Sequence, residues 1–358
     1  MASDREERNG SGSVLIIGGG LAGLKAAIDL AQIGWRSIVI ERKSDTGGAI
    51  LGLERQYPTD SCGFCHILPD RSEGLEFCLR MGLTHPSIEI IKNASLLDIR
   101  GKAGSFKATI LKEASYVDEE RCIGCGLCID ACPQEFPDPF EESLFLRKAI
   151  DRSSPYSSTF QIDLSACTRC ANCAKVCPVS AIDLDANQKE EVIEAGAIIV
   201  ATGFETLKPK EIEEYGYGKY PDVITSMEFE RLMGRCLFQG GDSWKGRIRR
   251  PSDGKEPKRI AFIQCVGSRT KERPYCSSIC CMIAIKEARM AIHHIPGVHC
   301  EIFFMDIRAC GKGYEAYYKE TRDLGVRMTR CIPGEVIHRK EDSALILRYE
   351  KEDGILEE

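Results

Sequence analysis

Apolar and polar positions in this chain follow the rhythm of strand–helix–strand units. Residues 14–17 form a short continuous apolar run, read as a buried strand, and residues 21–34 place Ala and Leu on one face at helical spacing. Residues 37–41, rich in β-branched side chains, predict the next strand. The alternation resumes downstream with a strand over 197–201, a short helix over 226–233, a strand over 259–264, a helix over 281–293 and a strand over 299–306. Residues 243–258 are basic, polar and carry two prolines, as a linker would. The pattern predicts an α/β chain of two βαβ units with a module inserted in the first.

At 358 residues the chain has room for two or three domains of about 150 residues each. A net charge of −6 leaves no electrostatic footprint for a nucleic-acid partner. The first residues are polar and charged with no apolar h-region, and no run of eighteen apolar residues occurs. Neither an export signal nor a direct membrane span is therefore expected. Against that background nineteen cysteines point to metal binding or redox chemistry in a reducing, cytoplasmic setting.

The motif C-x2-C-x2-C-x3-C-P occurs twice, at 122–133 and 167–178, an internal repeat of one small unit. In such runs three thiolates wrap one face of a cubane and the fourth reaches the other cluster. That rule assigns Cys122, Cys125, Cys128 and Cys177 to one [4Fe-4S] cluster and Cys167, Cys170, Cys173 and Cys132 to a second. Zinc is the competing reading, since C-x-x-C pairs also bind it; this spacing repeated twice favours ferredoxin.

Gly18, Gly20 and Gly23 form G-x-G-x-x-G between the first strand and helix, where a pyrophosphate meets a helix N-terminus. Glu41, with Arg42 beside it, closes the second strand, where an acidic side chain accepts from a ribose hydroxyl. Gly47 and Gly48 follow, and Ala201, Thr202 and Gly203 close a later strand. Together these segments resemble the two-dinucleotide-binding-domain flavoproteins, in which E-x5-G-G and A-T-G accompany FAD. NAD in this loop, or a turn without ligand, are the alternatives.

A nicotinamide in the second βαβ unit would need its own glycine loop. Gly267 stands alone there, while Cys265, Cys276, Cys280 and Cys281 crowd the turn with Arg269, Lys271 and Arg273 among them. These four read as ligands of a third, non-standard [4Fe-4S] cluster in place of NAD, with the basic side chains raising its potential. Helix-start thiols plus one redox disulfide are the alternative. Cys62, Cys65 and Cys78 suit a redox dithiol, a partial cluster site or structural thiols, while Cys236, Cys300, Cys310 and Cys331 read as ordinary buried thiols. His66, His293 and His294 read as surface or core residues, and residues 286–294 as a helix end with a solvated basic face.

With GGGLAGLKAA at 18–27, T-D-S-C-G-F-C at 59–65, the double ferredoxin, C-V-G-S-R … P-Y-C-S-x-x-C-C and D-I-R-A-C-G-K-G-Y-E at 306–315, the chain resembles the A-type component of heterodisulfide reductase. The resemblance covers nearly everything after residue 12. It implies a thioredoxin reductase-like fold of two dinucleotide-binding domains with an inserted ferredoxin (α+β) domain. The expected division is an FAD-binding part at 12–115, a 2[4Fe-4S] ferredoxin at 116–189, a return to the FAD domain with a linker at 190–255, and a second Rossmann-like domain at 256–358. FAD and three [4Fe-4S] clusters follow, with a flavin that bifurcates or confurcates electron pairs inside a soluble multi-subunit complex. Heterodisulfide reductase B- and C-like subunits and hydrogenase- or dehydrogenase-linked subunits are the implied partners, in a heterodisulfide, quinone-linked or benzoyl-CoA reductase complex. Long members of the family continue beyond the strand-like residues 344–354, so a short form is expected, its flavin site completed by a neighbour or weakly occupied. The rival readings are a stand-alone NAD(P)H-dependent flavoenzyme similar to the small subunit of glutamate synthase, and a flavin-free iron–sulfur wire.

Overall fold

The computed structural model describes residues 12–61, 65–66, 77–78, 83–155, 157–207, 212–238, 248–339, 344–351 and 354–357. They fall into two compact units, one within 1–51 and 64–204, the other within 52–63 and 205–358.

The first unit strings together β1 (Ser13–Ile17), α1 (Leu21–Gln32), β2 (Arg36–Ile40), β3 (Ile88–Ile91), β4 (Ala94–Lys102), β5 (Ser105–Lys112), β6 (Lys189–Ala195) and β7 (Ala197–Val200). β7, β1, β2 and β3 make a parallel sheet in that order. Val14 and Ile16 pack on Ala27 of α1 and on Val39, while Leu15 faces the other way, onto Ala94, Ala108, Ile110, Ile193 and Ala195. Both faces are covered, so the strand is continuously apolar rather than alternating.

The covering layer is an antiparallel sheet, β6-β5-β4, that the periodicity of the sequence did not reveal. Leu97 and Ile99 on β4 are exposed, which blurs the alternation. The two-residue turn at 103–104 between Lys102 and Ser105, with Gly104 at φ 90°, is the hairpin signal that was available.

The cysteine-rich module fills the connection between β5 and β6, at the end where Lys112 pairs with Lys189. Val117 and Ile182 bridge its own two ends. Within it lie short helices α2 (Leu127–Asp130) and α3 (Asn172–Val176) and two ribbons, Glu135–Pro137 with Leu146–Lys148 and Ile150–Asp151 with Gln161–Ile162. Val117, Ile150 and Phe160 bury together with Cys128 and Cys173.

The second unit contains α4 (Ser226–Phe238), β8 (Arg259–Ile263), α5 (Cys280–His294), β9 (His299–Phe303), α6 (Tyr314–Asp323), β10 (Arg327–Thr329), β11 (Glu335–Arg339), β12 (Ala344–Lys351) and β13 (Gly354–Glu357). β8, β9 and β10 are parallel, and β11, β12 and β13 antiparallel. Met233, Met282, Ile285, Ala288 and Ile302 lie in its core. α6 escaped prediction because only Tyr317 and Thr321 of its ten residues are buried, too thin an apolar stripe to read.

The expected solvated basic face at 286–294 is instead a buried ionic seam. Lys286 is 1% exposed and Glu287 2%. Lys286 Nζ pairs with the buried Glu230 of α4 and donates to the carbonyl of Arg55 at 3.1 Å. His294 meets Glu54 at 2.8 Å, while His293 is exposed. Burial, then the charge of Glu230, holds the Glu287 carboxyl well above the ordinary range. Burial keeps Glu287 protonated, while Lys286 and Glu230 are tolerated inside because each answers the other. Removing one member of such a pair strands the other, at about 3–5 kcal/mol. Lys286→Ala should lower the unfolding free energy by that amount in a guanidinium titration of the full chain; an unmoved midpoint would deny the seam a stabilising role.

Candidate cofactor sites

Gly18 leaves β1 at φ 109°, and a Cβ there would sit 2.2 Å from the carbonyl oxygen of Ala201. Gly23 is restricted in the same way, 2.0 Å from the carbonyl oxygen of Gly18. Backbone packed on backbone explains both glycines. Gly20 is different: its φ is −78° and the nearest atom to a built Cβ is Gly48 Cα at 3.9 Å. Gly20 caps α1, and no acidic residue occupies the first helical turn. The helix dipole and terminal N–H groups thus face a space fit for a pyrophosphate.

Gly47 donates to the carbonyl of Gly19 at 2.7 Å and bridges to Gly20, which draws the turn at 47–48 alongside. Glu41 is buried, and its two carboxylate oxygens accept from the N–H groups of Gly19 and Lys43, each at 2.8 Å. Each oxygen keeps a further lone pair, the acceptor a ribose hydroxyl needs. Ala201 and Thr202 lie against Gly18, Gly203 follows at φ 77°, and Arg42 is exposed. These residues fit a dinucleotide.

In the insert the two halves repeat burial as well as spacing. Cys128 and Cys173 are buried, Cys125 and Cys170 exposed, and Cys122, Cys132, Cys167 and Cys177 half-buried. The first loop turns through left-handed Gly124 and Gly126, and the second through Arg169 and Ala171 at the matching positions. Cys132, Cys167, Cys170 and Cys173 line one small cavity, with Ile150 and Ile162. Among the described residues no group of three or more His, Cys, Asp or Glu side chains is arranged to hold a lone metal ion. A tetrahedral ion bound at about 2.3 Å would draw its sulfurs into contact; four sulfurs around a cavity suit a larger inorganic cluster. The N–H groups of Arg169 and Ala181 donate to Cys167 Sγ at 3.4 Å and Cys177 Sγ at 3.3 Å, stabilising negative sulfur. Burial pushes the Cys128 thiol up to about 11, so a metal bound there would have to displace its proton.

In the second unit β8 leads into Cys265, at φ 61°, and α5 begins at Cys280 and Cys281. Cys281 is buried, its Sγ 3.5 Å from the carbonyl oxygen of Asp306; Cys276 Sγ accepts from Ser278 N–H at 3.3 Å. Cys280 accepts from the Cys281 thiol, the Ser277 hydroxyl and backbone N–H groups, which lowers its pKa to about 5. The donor Cys281 is pushed up. Arg269 pairs with Asp306 at 2.8 Å and also hydrogen-bonds Cys265, while Lys271 is exposed. Asp306, to which residue spacing assigned no role, also meets Arg330 at 3.6 Å. A Cβ on Gly267 would lie 2.4 Å from Leu207 Cδ2 and 3.1 Å from Ile212 Cδ1, so this loop lacks the open space found beside Gly20.

Among the remaining cysteines, Cys300 is buried as expected. Cys310 is exposed in the glycine-flanked turn before α6 and Cys331 is half-buried beyond β10, so neither is an ordinary core thiol. Cys65 and Cys78 stand opposite one another in a short antiparallel ribbon. Cys62 and the side chains of Cys236 and His66 lie outside the described residues.

Because the fold leaves room for a side chain at position 20, Gly20→Val should fold and yet lose bound FAD, read as flavin released per chain; full FAD content would show that the loop binds something else. A thiolate is present above its pKa, so in the cluster-free chain Cys280 should still alkylate with iodoacetamide at pH 6, while Cys265, raised by burial, should not. Equal labelling of both by peptide mass spectrometry would contradict the asymmetry.

Residues 13–51 match the FAD binding domain family and residues 121–181 the 4Fe-4S dicluster domain family. The chain is 43% identical over 94% of its length to a CoB–CoM heterodisulfide reductase iron–sulfur component of the A type from Methanopyrus kandleri, and covers 50% of that protein. It is 38% identical over 96% of its length to the A-type component of the H2:CoB–CoM heterodisulfide, ferredoxin reductase of Methanothermobacter marburgensis, again covering 50%. The chain thus spans about half the length of the curated relatives it matches. Thioredoxin reductase of T. acidophilum aligns over 97% of this chain and 74% of its own, at 12% identity and a TM-score of 0.42. No described helix is long and apolar enough to cross a membrane. With matches to an FAD binding domain family and a 4Fe-4S dicluster domain family in one α/β chain, the chain is similar along nearly all of its length to the A-type iron–sulfur components of heterodisulfide reductases, of which it spans about half.

Proposed function

We propose that this chain is the FAD- and cluster-bearing electron-transfer component of a cytoplasmic multi-subunit oxidoreductase in which electron pairs are split or merged. The observation that carries the reading is an open dinucleotide loop and a two-cluster ferredoxin insert within one compact unit. A flavin exchanges two electrons on one side and single electrons on the other, and each cluster takes one at a time. On this reading the FAD lies on Gly18, Gly20, Gly23, Glu41, Gly47, Gly48 and the 201–203 segment. Cys122, Cys125, Cys128 and Cys177 hold one cubane, and Cys167, Cys170, Cys173 and Cys132 another. Residues 12–115 and 190–255 serve the flavin and 116–189 the relay.

A third cluster on Cys265, Cys276, Cys280 and Cys281, within 256–358, is supported by the low pKa of Cys280 and by the guanidinium of Arg269 at Cys265. The relatives are named for reduction of CoB–CoM heterodisulfide; the reaction class extends to this chain, with heterodisulfide reductase B- and C-like or dehydrogenase-linked subunits as partners. A stand-alone NAD(P)H enzyme needs an open glycine loop in the second unit, and Gly267 lies against Leu207 and Ile212.

Metal and flavin analysis of anaerobically isolated chain tests the assignment. Cys280→Ala should lose about four irons per chain and keep the flavin spectrum, whereas unchanged iron would remove the third cluster. NADH alone should leave the flavin unbleached; bleaching would select the stand-alone enzyme.

A further inference from the structure

Asp45 lies in the loop between Glu41 and Gly47, inside the first dinucleotide site, yet its side chain serves neither the glycine loop nor the sheet. Its Oδ2 accepts from three hydroxyls of the ferredoxin insert: Ser153 at 2.6 Å, Ser154 at 2.7 Å, and Ser157. Ser154 and Ser157 are buried, and Ser153 and Ser157 are also 2.7 Å apart. Three hydroxyls gathered on one carboxylate oxygen, more than a hundred residues away in sequence, make a clamp that surface ion pairs do not equal.

Both sides of the clamp are themselves held. On the dinucleotide side the loop is pinned by Gly47 N–H on Gly19, by Asn93 N–H on the Lys43 carbonyl at 3.1 Å, and by Ala94 N–H on the Glu41 carbonyl at 2.9 Å. On the insert side the serines sit at the tip of the ribbon whose stem, Ile150–Asp151 with Gln161–Ile162, contributes Ile150 and Ile162 to the cavity of the second cysteine set. The same tip reaches the first set: a Cβ on Gly124 would meet the Ser158 carbonyl oxygen at 3.3 Å and the Arg152 guanidinium at 3.8 Å.

We propose that Asp45 is a positioning residue that seats the ferredoxin insert against the flavin loop and makes the first cysteine set the entry point for electrons. The proposal rests on the flavin reading of that loop. The step is a single-electron transfer: the reduced flavin loses one electron, the cluster on Cys122, Cys125, Cys128 and Cys177 gains it, and no bond forms or breaks. The rate of electron transfer between two separated centres falls steeply as their separation grows, so a loosened clamp should show in the rate.

The test compares full-length wild type, Asp45→Ala, Asp45→Asn and the triple variant Ser153→Ala/Ser154→Ala/Ser157→Ala, all isolated anaerobically. FAD and iron content should be unchanged, while cluster reduction after a light pulse that reduces the flavin at the expense of added EDTA as sacrificial donor slows severalfold in Asp45→Ala and in the triple variant. Amide hydrogen exchange should quicken at 43–48 and around the serines. Asp45→Asn, which keeps an acceptor oxygen, should recover most of the rate. Combining Asp45→Ala with the triple variant should cost no more than either alone. Unchanged rate and exchange in Asp45→Ala, or loss of iron from it, would overturn the proposal. Wild-type chain that binds no FAD would instead overturn the flavin reading, and the exchange data would still decide whether the clamp holds.

Discussion

The first cofactor site depends on how closely backbone can approach backbone. Gly18 lies so near the Ala201 carbonyl, and Gly23 so near that of Gly18, that no side chain fits at either place. That contact brings the end of a strand from residue 200 beside the start of a helix at residue 21. Only then does Gly20, at the helix N-terminus, have no side chain within 4 Å of a built Cβ, while a buried carboxylate holds the neighbouring Gly19 N–H. The anion-binding property is therefore a packing property first and an electrostatic one second.

The second unit places different side chains on the same strand–turn–helix geometry. Where the first has open glycine, the second has thiols, a hydrogen-bonded thiolate and a guanidinium braced by Asp306. An anion site built of N–H groups suits a phosphate ester; one built of sulfur and a fixed cation suits an iron–sulfur core.

Much of this was legible in residue order because the chemistry is local. Glycines at three fixed offsets, and cysteines repeated at one spacing, carry their meaning within a dozen residues. The β4-β5-β6 sheet did not show because Leu97 and Ile99 face solvent where alternation would bury them. The seam of Lys286, Glu230, Glu54 and His294 did not show because charged residues read as surface until a distant partner is known. Asp45 was silent for the same reason: a carboxylate in a loop has no period, and its role is defined by the groups that reach it. Asp306 opens a segment that carries the resemblance, but its pairing with Arg269 had no signal in residue order.

The site of insertion has its own significance. β5 and β6 are neighbouring antiparallel strands whose paired ends, Lys112 and Lys189, flank the module, and Val117 and Ile182 join its two ends. To the surrounding sheet, the cysteine module is topologically the tip of a hairpin. The entropy of closing such a connection grows only slowly with its length, so a whole redox module can be grafted there without redrawing the host.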